Sequence, residues 1–451
     1  MDGAHDFHDF RCKLLQPSVL PRVKEYVQWQ VAVQESLDAG QQPPLPPGTA
    51  PLSINLDLTT ACNYRCDHCI DWEILNTGVK HKEDELRDSL RNLAERGMRS
   101  VILIGGGEPT VYPRFAHMVR FLKSQLAQQV AVVSNGSRGD RLLEVADVLE
   151  AGDWIRLSLD AGTDETFQAM HRPRQPISLD EICRWVPKIK ERNPRFKIGF
   201  SFIVTWKGAT RDDTKIVENI QELVPAARRA KQFAFDYLSV KPFLMRQEEN
   251  GAEVMDPRQA AEQQTQIVRR IQEAVAEAKQ LEDENFQVVE STNLRLLEQQ
   301  SWQEYTQQPR HCHLQSLRQV LTPHGVFNCP GYRSSPMAMI ADRRAYRDES
   351  QIEDTRKKLS DMILPAVRCV RRMPERDLPL QPDKLVDPGP DPGSRKSRRP
   401  DGRTRAGRLL SLSRRRDASR GRESFSPRKD PAALDSGTGG EKDSRPLPVS
   451  P

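Results

Sequence analysis

The chain has 451 residues, with 68 Lys and Arg against 63 Asp and Glu, a formal charge of +5 and eight cysteines. Residues 374–451 hold 18 basic against 12 acidic residues, a surplus of 6, which leaves −1 on the remaining 373. Such a near-neutral body excludes a core built around a polyanion. No apolar run approaches the roughly 18 residues of a membrane span, and the first fifteen residues lack the apolar stretch of a signal peptide. A reducing cytoplasm follows as the default. There, clustered cysteines point to metal binding or catalysis rather than to disulfides.

In chain order, residues 1–50 read as a helix over Val23–Leu37 and a linker, Gln41–Pro51, rich in Pro and Gly. Residues 51–243 then alternate strands with helices. The predicted strands are Ser53–Leu58, Ser100–Ile104, Val130–Ser134, Ile155–Leu159, Lys197–Val204 and Phe233–Val240. The predicted helices between them include Asp84–Glu95, Arg114–Gln125, Arg141–Leu149 and Leu179–Glu191. This order argues for parallel βαβ units. Unusual residues follow the C-terminal ends of at least four strands, which points to a barrel rather than a flat sheet. After Pro242 the pattern changes. A long charged helix, Arg258–Glu282, a short strand, Phe286–Val289, and a hairpin of Leu317–Thr322 with Val326–Cys329 make a smaller region, 244–373. Residues 374–451, with 12 of the 33 prolines and Phe425 as their only aromatic, predict a disordered basic tail. Clusters such as Arg395–Arg399 suit nucleic acid, but no interleaved aromatics support base stacking, so a solvated tail without nucleic-acid partner is expected.

The strongest local signal is Cys62-Asn-Tyr-Arg-Cys66-Asp-His-Cys69, directly after the first strand. Three thiolates within eight residues converge only around something soft and compact. A cubane iron–sulfur cluster fits, with one iron left open. A zinc knot with His68 as fourth ligand is the alternative. The second strand ends in Ile104-Gly105-Gly106-Gly107-Glu108-Pro109-Thr110. Glycines there let backbone approach a ligand closely.

Together, CxxxCxxC after strand one and this glycine run after strand two resemble the radical S-adenosylmethionine (radical SAM) enzymes, over about residues 53–245. The resemblance implies an α/β fold: a partial, six-stranded (β/α) TIM-like barrel, here with a small C-terminal α+β extension. It implies that Cys62, Cys66 and Cys69 ligate a [4Fe–4S] cluster whose fourth iron chelates S-adenosylmethionine. One electron, from an external donor of flavodoxin or ferredoxin type, then yields methionine and a 5′-deoxyadenosyl radical. Gly105, Gly106, Gly107 and Glu108 match the segment at the methionine amino group. Ser134 and Asn135 match a frequent cofactor-side position, or form only a turn. Ser158 and Asp160 resemble the segment contacting ribose. Arg172 resembles the cation that pairs with the methionine carboxylate, or is a surface charge. His68 stands where relatives often carry an aromatic near the adenine.

Cys312 and Cys329 lie across the predicted hairpin and resemble the start of the auxiliary-cluster extensions called SPASM or twitch domains. Three residues separate Gly325 from Cys329 where that pattern usually has four. Cys369, with His311 or His313, would complete a single auxiliary cluster; otherwise these thiols sit in a plain cap. Cys12 and Cys183 read as ordinary, Cys183 as core packing. The function expected is hydrogen abstraction from a substrate, a peptide side chain if the extension is SPASM-like. A small metabolite or an RNA base is the second choice, and a non-catalytic metal-binding scaffold the reading from another class.

Overall fold

The structure, a computed structural model, describes residues 14–211, 214–243, 245–246, 253–254, 261–299, 312–333 and 335–363. Cys12, His311, Cys369 and the basic tail lie outside them. Ten strands form one sheet among the described residues. They are β1 (Ser53–Leu56), β2 (Ser100–Leu103), β3 (Gln129–Ser134), β4 (Trp154–Ser158), β5 (Lys197–Val204), β6 (Tyr237–Pro242), β7 (Gln287–Glu290), β8 (Arg318–Thr322), β9 (Gly325–Phe327) and β10 (Met339–Ala341). Across the sheet they run β7-β6-β5-β4-β3-β2-β1-β8-β9-β10. From β7 to β8 every neighbouring pair is parallel, while β9 and β10 add on antiparallel. β7 pairs with β6 alone, so the sheet stays open.

The parallel part therefore holds eight strands where the sequence pattern gave six. β7 and β8 fall in the region read as a separate extension, yet they bond to β6 and β1. Their Val288 and Leu321 join the same apolar cluster as Ile54 and Phe200. The described residues on both sides of position 243 pack as one unit. Pattern within a segment does not reveal which sheet a strand joins; tertiary pairing decides that.

The N-terminal helix runs Leu20–Asp38, enclosing the expected Val23–Leu37. The long charged helix is present as Ala261–Lys279. The helix expected over Leu179–Glu191 instead divides into Leu179–Cys183 and Trp185–Arg192. Pro187 lacks the N–H that would continue the ladder across the join. Ser178 and Glu181 form a capping box at the first piece. No helix among the described residues is long and apolar enough to cross a membrane.

Alternation along the strands gives the sheet two different faces. Ile54, Val101, Ile155, Leu157, Phe200, Leu238 and Val240 pack with helix residues such as Leu86 and Leu90. The intervening positions, among them Asn55, Arg156, Ser201, Ser239 and Lys241, lie on the inner face of the open barrel.

Candidate active site

β1 leads directly into the Cys62–Cys69 loop. The Cys62 N–H donates to Asn76 Oδ1 at 3.1 Å, and Arg211 donates to the Cys66 carbonyl at 3.0 Å. Tyr64, buried beneath the loop, meets Phe167 and His171 edge-on. All three thiols are free and half-buried. Burial pushes the Cys62 thiol up to about 11 and the Cys69 thiol up to about 12. Cys66 is raised well above its ordinary value by burial, then by Cys69 and Cys62. Cys62 and Cys69 oppose the ionisation of Cys66, and Cys62 that of Cys69; a shared cationic metal centre binds thiolates and relieves that repulsion.

Behind the loop lies a buried chain of polar groups. His171 Nδ1 is 3.2 Å from Cys66 Sγ, and its Nε2 is 2.9 Å from the Leu159 carbonyl. Asp160 Oδ2 is 3.0 Å from His68 Nε2 and 3.4 Å from His171 Nε2. Asp160 Oδ1 accepts from the Ile203 N–H at 2.7 Å. Asp160 holds φ +51°, a left-handed conformation that Asp tolerates better than most residues. Both carboxylate oxygens are thus engaged by protein, and Asp160 orients the histidines. His68 is buried against His171 and Asp160.

The glycine run is tight for reasons internal to the protein. Gly105 and Gly106 have φ of +69° and +62°. A Cβ on Gly105 would run into the Arg333 guanidinium, and one on Gly106 into the Asp57 carboxylate. Arg333 comes from beyond β9, donates to Asp71 Oδ2 at 2.7 Å and stands 3.4 Å from Asp57 Oδ1. Burial, only partly offset by Arg333 and aggravated by Asp71, raises Asp57 to about 8. Glu108 is turned away from this cluster. Its Oε1 accepts from Thr110 N–H, Thr110 Oγ1 and Ser134 Oγ, and its Oε2 from the Asn135 N–H, all at 2.6–3.0 Å. Glu108 therefore fixes the end of β3. The Asn135 amide donates to Asn63 Oδ1 at 2.9 Å and ties that end to the cysteine loop.

Ser158 ends β4, in register with Ser201. Arg172 caps a helix in the left-handed conformation and pairs with Asp67 of the cysteine loop at 2.8 Å, its side chain otherwise exposed. The strand ends thus bring Cys62, Cys66, Cys69, Glu108, Ser134, Asn135, Asp160 and Arg172 to one side of the sheet. Cys312 and Cys329 lie on segments joined by an Asn328–Gln315 hydrogen bond of 2.8 Å. His313 Nδ1 is 2.8 Å from Tyr26 Oη of the N-terminal helix.

Sequence reading missed Asp57, Asp71, His171, Arg211 and Arg333 at this end. Asp57 had a visible signal, a carboxylate in the otherwise apolar end of Ser53–Leu58. Arg211 and Arg333 had none, because they arrive from distant loops.

The profile of the radical SAM superfamily matches residues 56–220. That span begins in β1, takes in the three cysteines and the glycine run, and ends beyond β5. Residues 56–220 are thus a radical SAM domain. Its cofactors are those of the superfamily, a [4Fe–4S] cluster and S-adenosylmethionine, and the open, mostly parallel sheet is the expected partial barrel. Among curated proteins, an S-adenosylmethionine-dependent nucleotide dehydratase of a Thermoplasmatales archaeon (strain ISO4-H5) is 36% identical over 111 residues, 24% of this chain and 38% of its own. The same-named protein of Selenomonas ruminantium is 23% identical over 202 residues, 43% of this chain and 71% of its own. The dehydratase RSAD2 of Danio rerio is 32% identical over 159 residues, 34% of this chain and 43% of its own. The chain thus spans less than half the length of two of these relatives. Among solved structures, SuiB of Streptococcus suis bound to S-adenosylmethionine has a TM-score of 0.48 at 13% identity, covering 68% of this chain and 65% of that one.

Proposed function

We propose that Cys62, Cys66 and Cys69 hold the [4Fe–4S] cluster and that the chain abstracts hydrogen from a substrate bound at the inner face of the barrel. The observation that carries this reading is the placement of three free, half-buried thiols on one loop at the strand ends. When bound, the cluster supplies the electron that cleaves S-adenosylmethionine reductively to a 5′-deoxyadenosyl radical. The protein's own part is binding, orientation and exclusion of water.

Asn76 and Arg211 fix the loop backbone. Glu108 holds Ser134 and Asn135 in place for the cofactor side, and Gly105–Gly107 form the floor on which the methionine end rests. Asp160 acts by orienting His68 and His171, and Ser158 is left for ribose. Arg172 is assigned to the methionine carboxylate, for which it must exchange its pairing with Asp67. The free thiols suit the reducing cytoplasm and a one-electron donor of flavodoxin or ferredoxin type. An auxiliary cluster on Cys312, Cys329 and Cys369 is a separate proposal, supported by the hydrogen bond joining the segments of the first two. For the substrate, a SPASM-like extension favours a peptide side chain, whereas the dehydratase relatives favour a small molecule.

The test is anaerobic reconstitution, with an absorbance spectrum, iron and sulfide counts, and 5′-deoxyadenosine release after reduction. Zinc in place of iron, without a charge-transfer band, would favour a non-catalytic scaffold.

A further inference from the structure

The inner face of the sheet carries charge that the superfamily's cofactors do not explain. β4 alternates Ile155 and Leu157, packed with the helices, against Arg156 on the opposite face. β6 does the same, with Leu238 and Val240 outward and Tyr237, Ser239 and Lys241 inward. Arg318, at the start of β8, is in register with Ser53 and donates to Asn55 Oδ1 at 2.9 Å. Three strands thus direct three cations into one interior. Arg156 and Arg318 both oppose the charging of Lys241 across that interior.

Little inside compensates them. The carboxylate acting on Lys241 is Asp160, whose oxygens already serve Ile203, His68 and His171. Arg156 Nε is buried without a hydrogen-bond partner, and the guanidinium lies over the Trp154 ring at 5.4 Å. Burial and the neighbouring Arg156 hold Lys241 well below the usual lysine range. Asp160 is the one carboxylate that acts on both half-buried cations; like charges withdrawn from water with so little compensation are costly, and a fold keeps them where a ligand completes the set. A guanidinium on β4 and an amine on β6, with the hydroxyls of Ser201 on β5 and Ser239 on β6 on the same face, suit phosphate oxygens.

We propose that the inner face of the barrel is an anion pocket in which Arg156 and Lys241 bind a phosphate-bearing small molecule, the substrate of the radical chemistry. The proposal rests on the radical SAM reading of the site and names its substrate class. The two cations lie within strands rather than on loops, so the anion must enter the barrel, which a small molecule does and a folded chain does not.

The experiment uses the reconstituted full chain and inorganic pyrophosphate as probe, with binding measured by equilibrium dialysis. Saturable binding is expected. Arg156→Gln and Lys241→Gln should each weaken it about tenfold to a hundredfold, the loss of a charge-assisted hydrogen bond. Lys241→Arg should bind within a few-fold of wild type. Iron content and circular dichroism of each variant establish that it is folded and loaded. Absent binding to the wild-type chain, or equal binding to all variants, overturns the proposal. So does tighter binding of citrate, which would make the pocket a carboxylate site, or equal competition by a glutamate-rich peptide. S-adenosylmethionine binding is measured alongside. If it falls together with pyrophosphate binding, the cations serve the cofactor and the proposal is wrong. A chain that holds iron and cleaves S-adenosylmethionine but ignores pyrophosphate fails the pocket alone. A chain without iron that binds pyrophosphate through Arg156 and Lys241 fails only the radical reading.

Discussion

Two groups of cysteines share this fold and differ in how their surroundings are assembled. Cys62, Cys66 and Cys69 occupy one short loop, pinned by Asn76 and Arg211, and Cys62 and Cys69 raise the proton affinity of Cys66. Cys312 and Cys329 come from either side of β8 and β9, and the neighbouring His313 is engaged with Tyr26. Chain connectivity alone brings the first set together, so spacing reveals it. The second set depends on how the hairpin packs, and spacing says little about it.

Removing the first group gives the largest effect. Replacing Cys62, Cys66 and Cys69 by Ala should remove about four irons per chain, as for one cubane. Iron content equal to wild type in that variant would erase the distinction between the groups. A glycine substitution tests the loop's neighbour. Gly106→Val places a branched side chain against Asp57 at positive φ. It should weaken S-adenosylmethionine binding by more than about tenfold, read by equilibrium dialysis, while the cluster absorbance persists.

The Arg333 contact links the two regions directly, because it runs from beyond Cys329 to Asp57 and Asp71. Arg333→Met leaves two buried carboxylates facing each other and should cost about 3 kcal/mol in chemical denaturation. Asp57 gives that contact a pH signature. Its folded pKa is raised from 3.8 to about 8, so the folded state holds this proton more tightly than the unfolded chain. The associated stability is complete below about pH 4 and is lost as pH rises through 8. Thermal melts of Asp57→Asn at pH 5 and pH 8.5 should therefore gain on wild type at the higher pH. The smallest effect belongs to the second group: Cys312→Ala with Cys329→Ala should leave 5′-deoxyadenosine release within about twofold of wild type. A loss as deep as that of the triple variant would merge the two groups into one site.

Much of this arrangement was legible beforehand. Cys62–Cys69 and Gly105–Glu108 are contiguous motifs, and the strands carrying them read from short apolar runs. The capping box at Ser178 is local as well. What escaped is tertiary. β7 and β8 look like parts of an extension until their pairing with β6 and β1 is known. Glu108 carries a motif position, yet its carboxylate is spent on β3. The near-zero charge of residues 1–373 conceals Arg156 and Lys241, because net charge does not report that two strands aim cations into one space.

The central claim is that this loop performs reductive cleavage of S-adenosylmethionine. The most direct measurement is 5′-deoxyadenosine formed by the anaerobically reconstituted chain, reduced with dithionite in the presence of S-adenosylmethionine. The account predicts release by the wild-type chain and none above background in the variant lacking Cys62, Cys66 and Cys69. Equal release by both, or a fully iron-loaded wild-type chain that releases none, would contradict it.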